Sequence, residues 1–249
     1  MRKKLIAANW KMHKTPGEAV AFVREFTALI PRHDRDEIAI VPPFISLSAT
    51  LEAVRGSQIA VGAQNMYWQK EGAFTGEISA AMLVAIGCQK VIVGHCERRQ
   101  YFGESDVDVN RKLRSALQDG LKAIVCIGES LQERESGLTE RVLSRQLATI
   151  LCQISSSDVN NFCIAYEPVW AIGTGKTATP EMAAEAHAFI RNEVAKALGD
   201  GAAPRLRILY GGSVKPENAT ALMSNEEIDG ALVGSASLDP KSFATIVEW

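Results

Sequence analysis

Val91-Ile-Val93, Ser105-Asp-Val-Asp-Val-Asn-Arg-Lys-Leu-Arg-Ser-Ala-Leu-Gln-Asp-Gly120 and Ala123-Ile-Val-Cys-Ile127 follow one another in the middle of the chain, and their reading decides the fold. The first and third are short apolar runs unbroken by charge, the pattern of parallel strands buried on both faces. The second is an amphipathic helix. Ser105 caps its start, Val109, Leu113, Ala116 and Leu117 share one face, and Gly120 ends it. Strand, helix, strand at this spacing is a βαβ unit, which requires a parallel sheet.

Working outward, the same unit recurs along the whole chain. Further apolar runs lie at Leu5–Ala8, Ile38–Val41, Ile59–Val61, Phe162–Ala165, Leu206–Leu209 and Ala231–Val233. Thr15-Pro16-Gly17-Glu18 is a capping box with proline at the first helical position, followed by the apolar stripe Val23, Phe26, Ile30. Thr179-Pro180-Glu181 opens another helix, with Phe189, Ile190, Val194, Ala197 and Leu198 as its expected core positions. Eight strand-helix units in 249 residues predict a closed (β/α)8 barrel, eight parallel strands ringed by helices, rather than an open sheet. No Pro/Gly/Ser-rich linker divides residues 1–249, so a single domain is expected.

Composition narrows the function. Nearly half the residues are hydrophobic and 22% are charged, which suits a large core under a polar surface. The net charge of −2 carries no basic run, so neither nucleic acid nor an anionic membrane is an expected partner. No stretch approaches the roughly 20 apolar residues of a membrane span. The apolar run after Met1-Arg-Lys-Lys4 is too short for an export signal. Five cysteines, an odd number with no C-x-x-C spacing, argue against a disulfide framework or zinc knuckle and for a cytoplasmic, reducing compartment.

In such barrels the chemistry stands at the C-terminal ends of strands. The runs here end in Asn9-Trp-Lys11, Gln64-Asn65, Gly94-His95, Gly128-Glu129, Glu167-Pro168, Gly211-Gly212-Ser213 and Gly234-Ser235. Loops are polar in general, but that does not explain a Lys, a His and a Glu directly after buried strands. Glu167 at an apolar mouth is poorly solvated as a carboxylate and so a stronger base; a salt-bridged structural Glu fits the same position. A helix starting at Cys96 puts its positive end at His95, which favours a neutral imidazole able to donate to a carbonyl. Lys11 offers a fixed ammonium for an anionic substrate, or is a solvated surface Lys. The segments after strands seven and eight suit phosphate. Gly175-Lys176-Thr177 resembles the end of a P-loop, but the earlier glycine that motif requires falls on Trp170, which excludes it.

With these residues in view, the chain resembles the triosephosphate isomerase family along essentially its entire length. The resemblance is carried by Ala8-Asn-Trp-Lys-Met12, Gly62-Ala-Gln-Asn65, Gly72-Ala-Phe-Thr-Gly-Glu77, Val93-Gly-His-Cys-Glu-Arg-Arg99, Ala165-Tyr-Glu-Pro-Val-Trp-Ala-Ile-Gly-Thr-Gly175 and Tyr210-Gly-Gly-Ser-Val214. It implies interconversion of dihydroxyacetone phosphate and D-glyceraldehyde 3-phosphate on a TIM barrel, with no cofactor and no metal. Glu167 would move the proton between carbons and His95 would polarise the carbonyl, the pairing for which this family is the familiar illustration. Asn9 and Lys11 would hold substrate, and Glu97 would support them. The N–H groups of Gly173, Ser213, Gly234 and Ser235 would hold the phosphate. Pro168–Lys176 would close over the site, hinged at Pro168 and at 171–175 and covering it with Trp170 and Ile172.

The 64–77 segment is long for a βα connection and carries Met66, Tyr67, Trp68 and Phe74, so it packs on something. The resemblance implies that it inserts into a second subunit, with Thr75 near its tip, making a homodimer. Two departures stand out. Cys96 replaces the family's usual Ser, which puts that residue's contact with the base in doubt and places an oxidisable thiol beside His95. Ser235 replaces a usual Gly. The rivals are a barrel acting on another sugar phosphate and a catalytically impaired phosphate-binding barrel. An aldolase would need a Schiff-base Lys inside the barrel, and the apolar runs contain none.

Overall fold

The computed structural model describes residues 2–171 and 178–249. Eight strands, β1 (Leu5–Asn9), β2 (Glu37–Val41), β3 (Ala60–Ala63), β4 (Lys90–Val93), β5 (Lys122–Ile127), β6 (Phe162–Tyr166), β7 (Arg207–Tyr210) and β8 (Gly230–Val233), pair in sequence order into a closed barrel. Every pairing is parallel, and β1 closes the ring by pairing with both β2 and β8. All eight expected runs are strands.

Helices follow them: α1 (Pro16–Leu29), α2 (Leu47–Ala53), α3 (Ala80–Ala85), α4 (Cys96–Phe102), α5 (Asp106–Gln118), α6 (Leu131–Glu135), α7 (Thr139–Ile150), α8 (Pro180–Leu198), α9 (Pro216–Met223) and α10 (Pro240–Val247). The capping signals form as expected. Glu18 accepts from the Thr15 N–H at 2.8 Å, and Ser105 and Asp108 cap each other's backbone. Val109, Leu113 and Ala116 are buried, with Leu117 half-buried. In α8 the expected core face is shifted. Ile190 and Val194 are buried, but Ala197 is exposed and Phe189 and Leu198 only half-buried, while Ala183, Ala186 and His187 fill the contact. The apolar stripe turns away from the barrel as α8 runs out toward Gly199.

The strands alternate between two separate cores. Leu5, Ala7, Ala39, Val41, Ile92, Ile124, Cys126, Cys163, Ala165, Leu209 and Leu232 form a cluster made of strand residues alone, which fills the barrel. Ile6, Ala8, Ile38, Ile40 and their counterparts pack outward against the helices. Burial pushes the Cys163 thiol up to about 11 and the Cys126 thiol well up too, so both behave as inert filling.

β2 and β4 each begin one residue earlier than their apolar runs, and β7 one residue later than its run, in all three cases on a charged side chain. Two positions before an inward residue, Glu37, Lys90 and Arg207 fall on the interior face at the end opposite the expected site. Lys90 Nζ lies 2.5 Å from Glu37 Oε1, and Arg207 Nη1 lies 2.6 Å from Glu37 Oε2. Burial alone would raise the Glu37 carboxyl, but Lys90 and Arg207 together hold it down at about 2. The polar residues therefore do not all collect at one rim: this triad plugs the other.

Candidate active site

Continuing the inward alternation one step past the apolar layers brings Asn9 of β1 and Glu167, just beyond β6, to the top of the barrel. The inward positions after β7 and β8 are Gly211 and Gly234, which have no side chain to fill the space. The result is a cavity of about 680 Å³ lined by Asn9, Lys11, His95, Cys96, Glu167 and Ser213, with Glu97, Gly234 and Ser235 also on its wall. The expected site residues within the described chain are thus brought together. Gly173, Ile172 and the rest of 172–177 lie outside the described residues.

Glu167 is 2% exposed, and its own N–H donates to the Ile127 carbonyl at 2.8 Å. Two glycines make room for it. A Cβ at Gly128 would fall 1.8 Å from the Glu167 carbonyl oxygen, and one at Gly211 would fall 2.8 Å from Glu167 Cγ. The carboxylate spans two donors: Oε1 lies 3.1 Å from His95 Nε2, and Oε2 accepts from the Cys96 N–H at 2.9 Å. The contact that the Ser-to-Cys departure put in doubt is present twice, through the Cys96 N–H and through a hydrogen bond between its thiol and Glu167. Burial, reinforced by the Glu167 and Glu97 charges, pushes the Cys96 thiol well up, which disfavours the thiolate and works against oxidation there.

His95 is the N-cap of α4, as the sequence predicts, and its ring settles its own tautomer. Nδ1 accepts from the Glu97 N–H at 3.3 Å, an unambiguous donor, so in the neutral ring the proton is on Nε2, facing Glu167 and the cavity.

Lys11 adopts φ +52°, a left-handed conformation uncommon for a side chain of this kind. Neighbours hold it there. Asn9 Oδ1 accepts from the Lys11 N–H at 3.1 Å, and Gln64 Nε2 donates to the Lys11 carbonyl at 2.7 Å. The Lys11 ammonium then rests 2.5 Å from Glu97 Oε1. Ser213 precedes α9 and Ser235 heads a short 3-10 turn, Ser235–Ser237, with its side chain exposed at the cavity mouth.

Three supports were not read from the sequence. Gln64 and Glu129 read in the sequence as rim residues without a role, and Glu104 carries no signal there. Glu104, 8% exposed, accepts from the Gly94 N–H at 2.8 Å and from Lys112 and Arg98, which fixes the turn that carries His95. Glu129, fully buried, accepts from Tyr166 Oη, Trp170 Nε1 and Arg134, each at 3.0 Å. Trp170, expected to cover the site, is here 8% exposed and tied down on Glu129, with the Arg134 guanidinium over its ring.

Comparison with known proteins agrees with this arrangement. The profile of the triosephosphate isomerase family matches residues 4–249. Curated relatives include triosephosphate isomerases of Solibacter usitatus, 55% identical over 249 residues with both chains fully covered, and of Carboxydothermus hydrogenoformans, 52% identical over 248 residues with 100% of this chain and 99% of that one covered. The enzyme of Caldanaerobacter subterraneus subsp. tengcongensis is 51% identical, again over the full length of both. Likeness on this scale takes in the barrel wall as well as the rim, so scaffold and site point the same way: the chain belongs to the triosephosphate isomerase family.

Proposed function

We propose that the chain interconverts dihydroxyacetone phosphate and D-glyceraldehyde 3-phosphate through an enediolate, the isomerase step shared by glycolysis and gluconeogenesis. The observation that carries this reading is the pair of Glu167 and His95, 3.1 Å apart on the floor of a cavity with an ammonium on its wall. At that distance no substrate fits between them. The substrate carbonyl oxygen would take over the His95 Nε2–H, freeing the carboxylate to turn to the neighbouring carbon and remove its proton. Glu167 would return that proton to the adjacent carbon. His95 would stabilise negative charge on oxygen, and Lys11, held by Asn9 and paired with Glu97, would offset it. The N–H groups of Ser213, Gly234, Ser235 and Gly173 would hold the phosphate. Cys96 would support the base through its N–H and its thiol.

The working form in this reading is one barrel domain per chain, paired as a cytoplasmic homodimer through the 64–77 loop. Exposed apolar side chains support the pairing. Met12, Ile45, Tyr101 and Phe102 are 68% exposed or more, and all follow β1, β2 or β4, on the side of the rim where the 64–77 loop also lies. Among the described residues no helix is long and apolar enough to cross a membrane.

The decisive assay is turnover of glyceraldehyde 3-phosphate by purified protein, read through a coupled reductase. Conversion is expected with no added metal or nucleotide. Glu167→Gln should lower kcat by about two to four orders of magnitude with an unchanged melting profile. Full turnover by that variant would remove Glu167 as the base.

A further inference from the structure

Cys96 adds to His95 and Glu167, on the floor of the cavity, a thiol that isomerisation does not use. His95, Cys96 and Glu167 are all buried, and a ring nitrogen, the sulfur and a carboxylate oxygen lie within 4.8 Å of one another. The tightest edge, His95 Nε2 to Glu167 Oε1, is 3.1 Å. Tetrahedral zinc with one N, one S and one O ligand has ligand–ligand edges of about 3.3 to 3.6 Å, so from a widest separation of 4.8 Å the three side chains need to close by about 1.2 to 1.5 Å at most. We propose that His95 Nε2, Cys96 Sγ and the Glu167 carboxylate bind a borderline-soft divalent cation of the zinc class, and that this cation blocks the site by taking the groups that isomerisation needs.

Several features favour it. Imidazole, thiolate and carboxylate together suit zinc or cobalt and not magnesium or calcium. One thiolate and one carboxylate neutralise a divalent charge, which removes the main cost of holding the ion in a buried place. A second layer is also in position. When the metal takes the Nε2 lone pair, the ring proton moves to Nδ1, which gives up the bond it accepts from the Glu97 N–H, and Glu97 Oε2, 3.6 Å from Nδ1, is the carboxylate able to accept that proton's hydrogen bond after a small approach. The thiol proton leaves to solvent as the S–metal bond forms, so each ion bound releases one proton. The fourth coordination position faces the cavity and takes water. A serine at 96 would leave two strong ligands, so Cys96 is the determinant.

Binding does not depend on the isomerase reading; only the inhibition does. The test therefore has two arms on the whole purified protein, stripped of metal. In the first, cobalt(II) is titrated while thiolate-to-cobalt charge-transfer absorption is followed. The expected signal saturates at one cobalt per chain, disappears in Cys96→Ser, persists in Cys152→Ser, whose thiol is exposed elsewhere, and is chased by zinc. In the second arm zinc inhibits turnover competitively with substrate and a chelator reverses it. The inhibition constant should be weaker by about tenfold or more in Cys96→Ser, each protein being referred to its own metal-free rate. No charge-transfer absorption in the unsubstituted protein, or the same absorption in Cys96→Ser, overturns the site. Cobalt binding in a chain without turnover would leave the site standing and overturn the isomerase reading instead.

Discussion

The position of the Glu167 carboxylate is set by the absence of atoms around it. A methyl group at Gly211 would stand 2.8 Å from Glu167 Cγ and 3.1 Å from the Tyr166 carbonyl oxygen, and neither the buried side chain nor the strand end can yield freely. Gly211→Ala is therefore expected to move the base by a fraction of an ångström to about 1 Å. Misplacement of that size costs on the order of 100-fold in turnover, against about 1–3 kcal/mol of stability for the overpacking. Steady-state kinetics beside thermal melting would separate the two; a variant with parental kcat would show that Gly211 does not position the base. Glu167, His95 and Lys11 are legible in the sequence because each is a reactive side chain directly after an apolar run. Gln64, Glu104 and Glu129 are not, because what they do is defined by a partner far away in the chain. The left-handed turn at Lys11 is equally hidden, since nothing in the residue type asks for it.

At the scale of elements, the strand centres are legible because burial on both faces leaves an unbroken apolar run, whereas the strand starts are not. Glu37 and Lys90 read as loop charges, and Arg207 as a lone charge within its run, until the register places all three on one interior layer. That layer makes stability depend on acid. The Glu37 carboxyl sits at about 2 in the fold against an ordinary 4.5, so its contribution is complete above about pH 4.5 and is lost as pH falls toward 2. His187 in α8 adds an earlier window. Its Nδ1 lies 3.0 Å from the Glu227 carbonyl, and burial holds the ring down at about 4 against 6.5. The unfolded chain takes up that proton first, so stability is complete above pH 6.5 and declines as pH falls to 4, by about 3 kcal/mol. Denaturant midpoints measured from pH 7 to 2 should thus fall in both windows. His187→Leu should flatten the segment between 6.5 and 4, and Glu37→Gln the segment between 4.5 and 2. Glu37→Gln should also cost about 3–5 kcal/mol near neutrality by leaving Lys90 and Arg207 buried without their anion. An unchanged pH profile in either variant would detach that window from its residue.

For the whole molecule, the remaining question is what the 64–77 loop packs on. Part of its apolar load is satisfied within the chain: Met66 is fully buried, and the Tyr67 ring packs at a tilt against Trp68 and Phe74, with centroids 4.1 and 4.6 Å away. That internal packing stiffens the loop, while Phe74 stays 39% exposed and Thr75 beyond it is exposed. A two-fold pair is self-complementary, so a projection of this kind needs a receiving surface on the same chain. In the proposed dimer the exposed Met12, Ile45, Tyr101 and Phe102, in the loops and helix after β1, β2 and β4, would supply one. Thr75→Arg would drive a guanidinium and its charge into that contact, and an unpaired charge in an apolar interface costs several kcal/mol on each of two symmetric sites. Sedimentation velocity at micromolar concentration should then show a monomer. Turnover should fall with it, because Met12 follows directly on Lys11, whose strained backbone loses a neighbouring support when the partner leaves. A sedimentation profile identical to the parent's would mean that the exposed rim is covered by something other than a second copy of this chain.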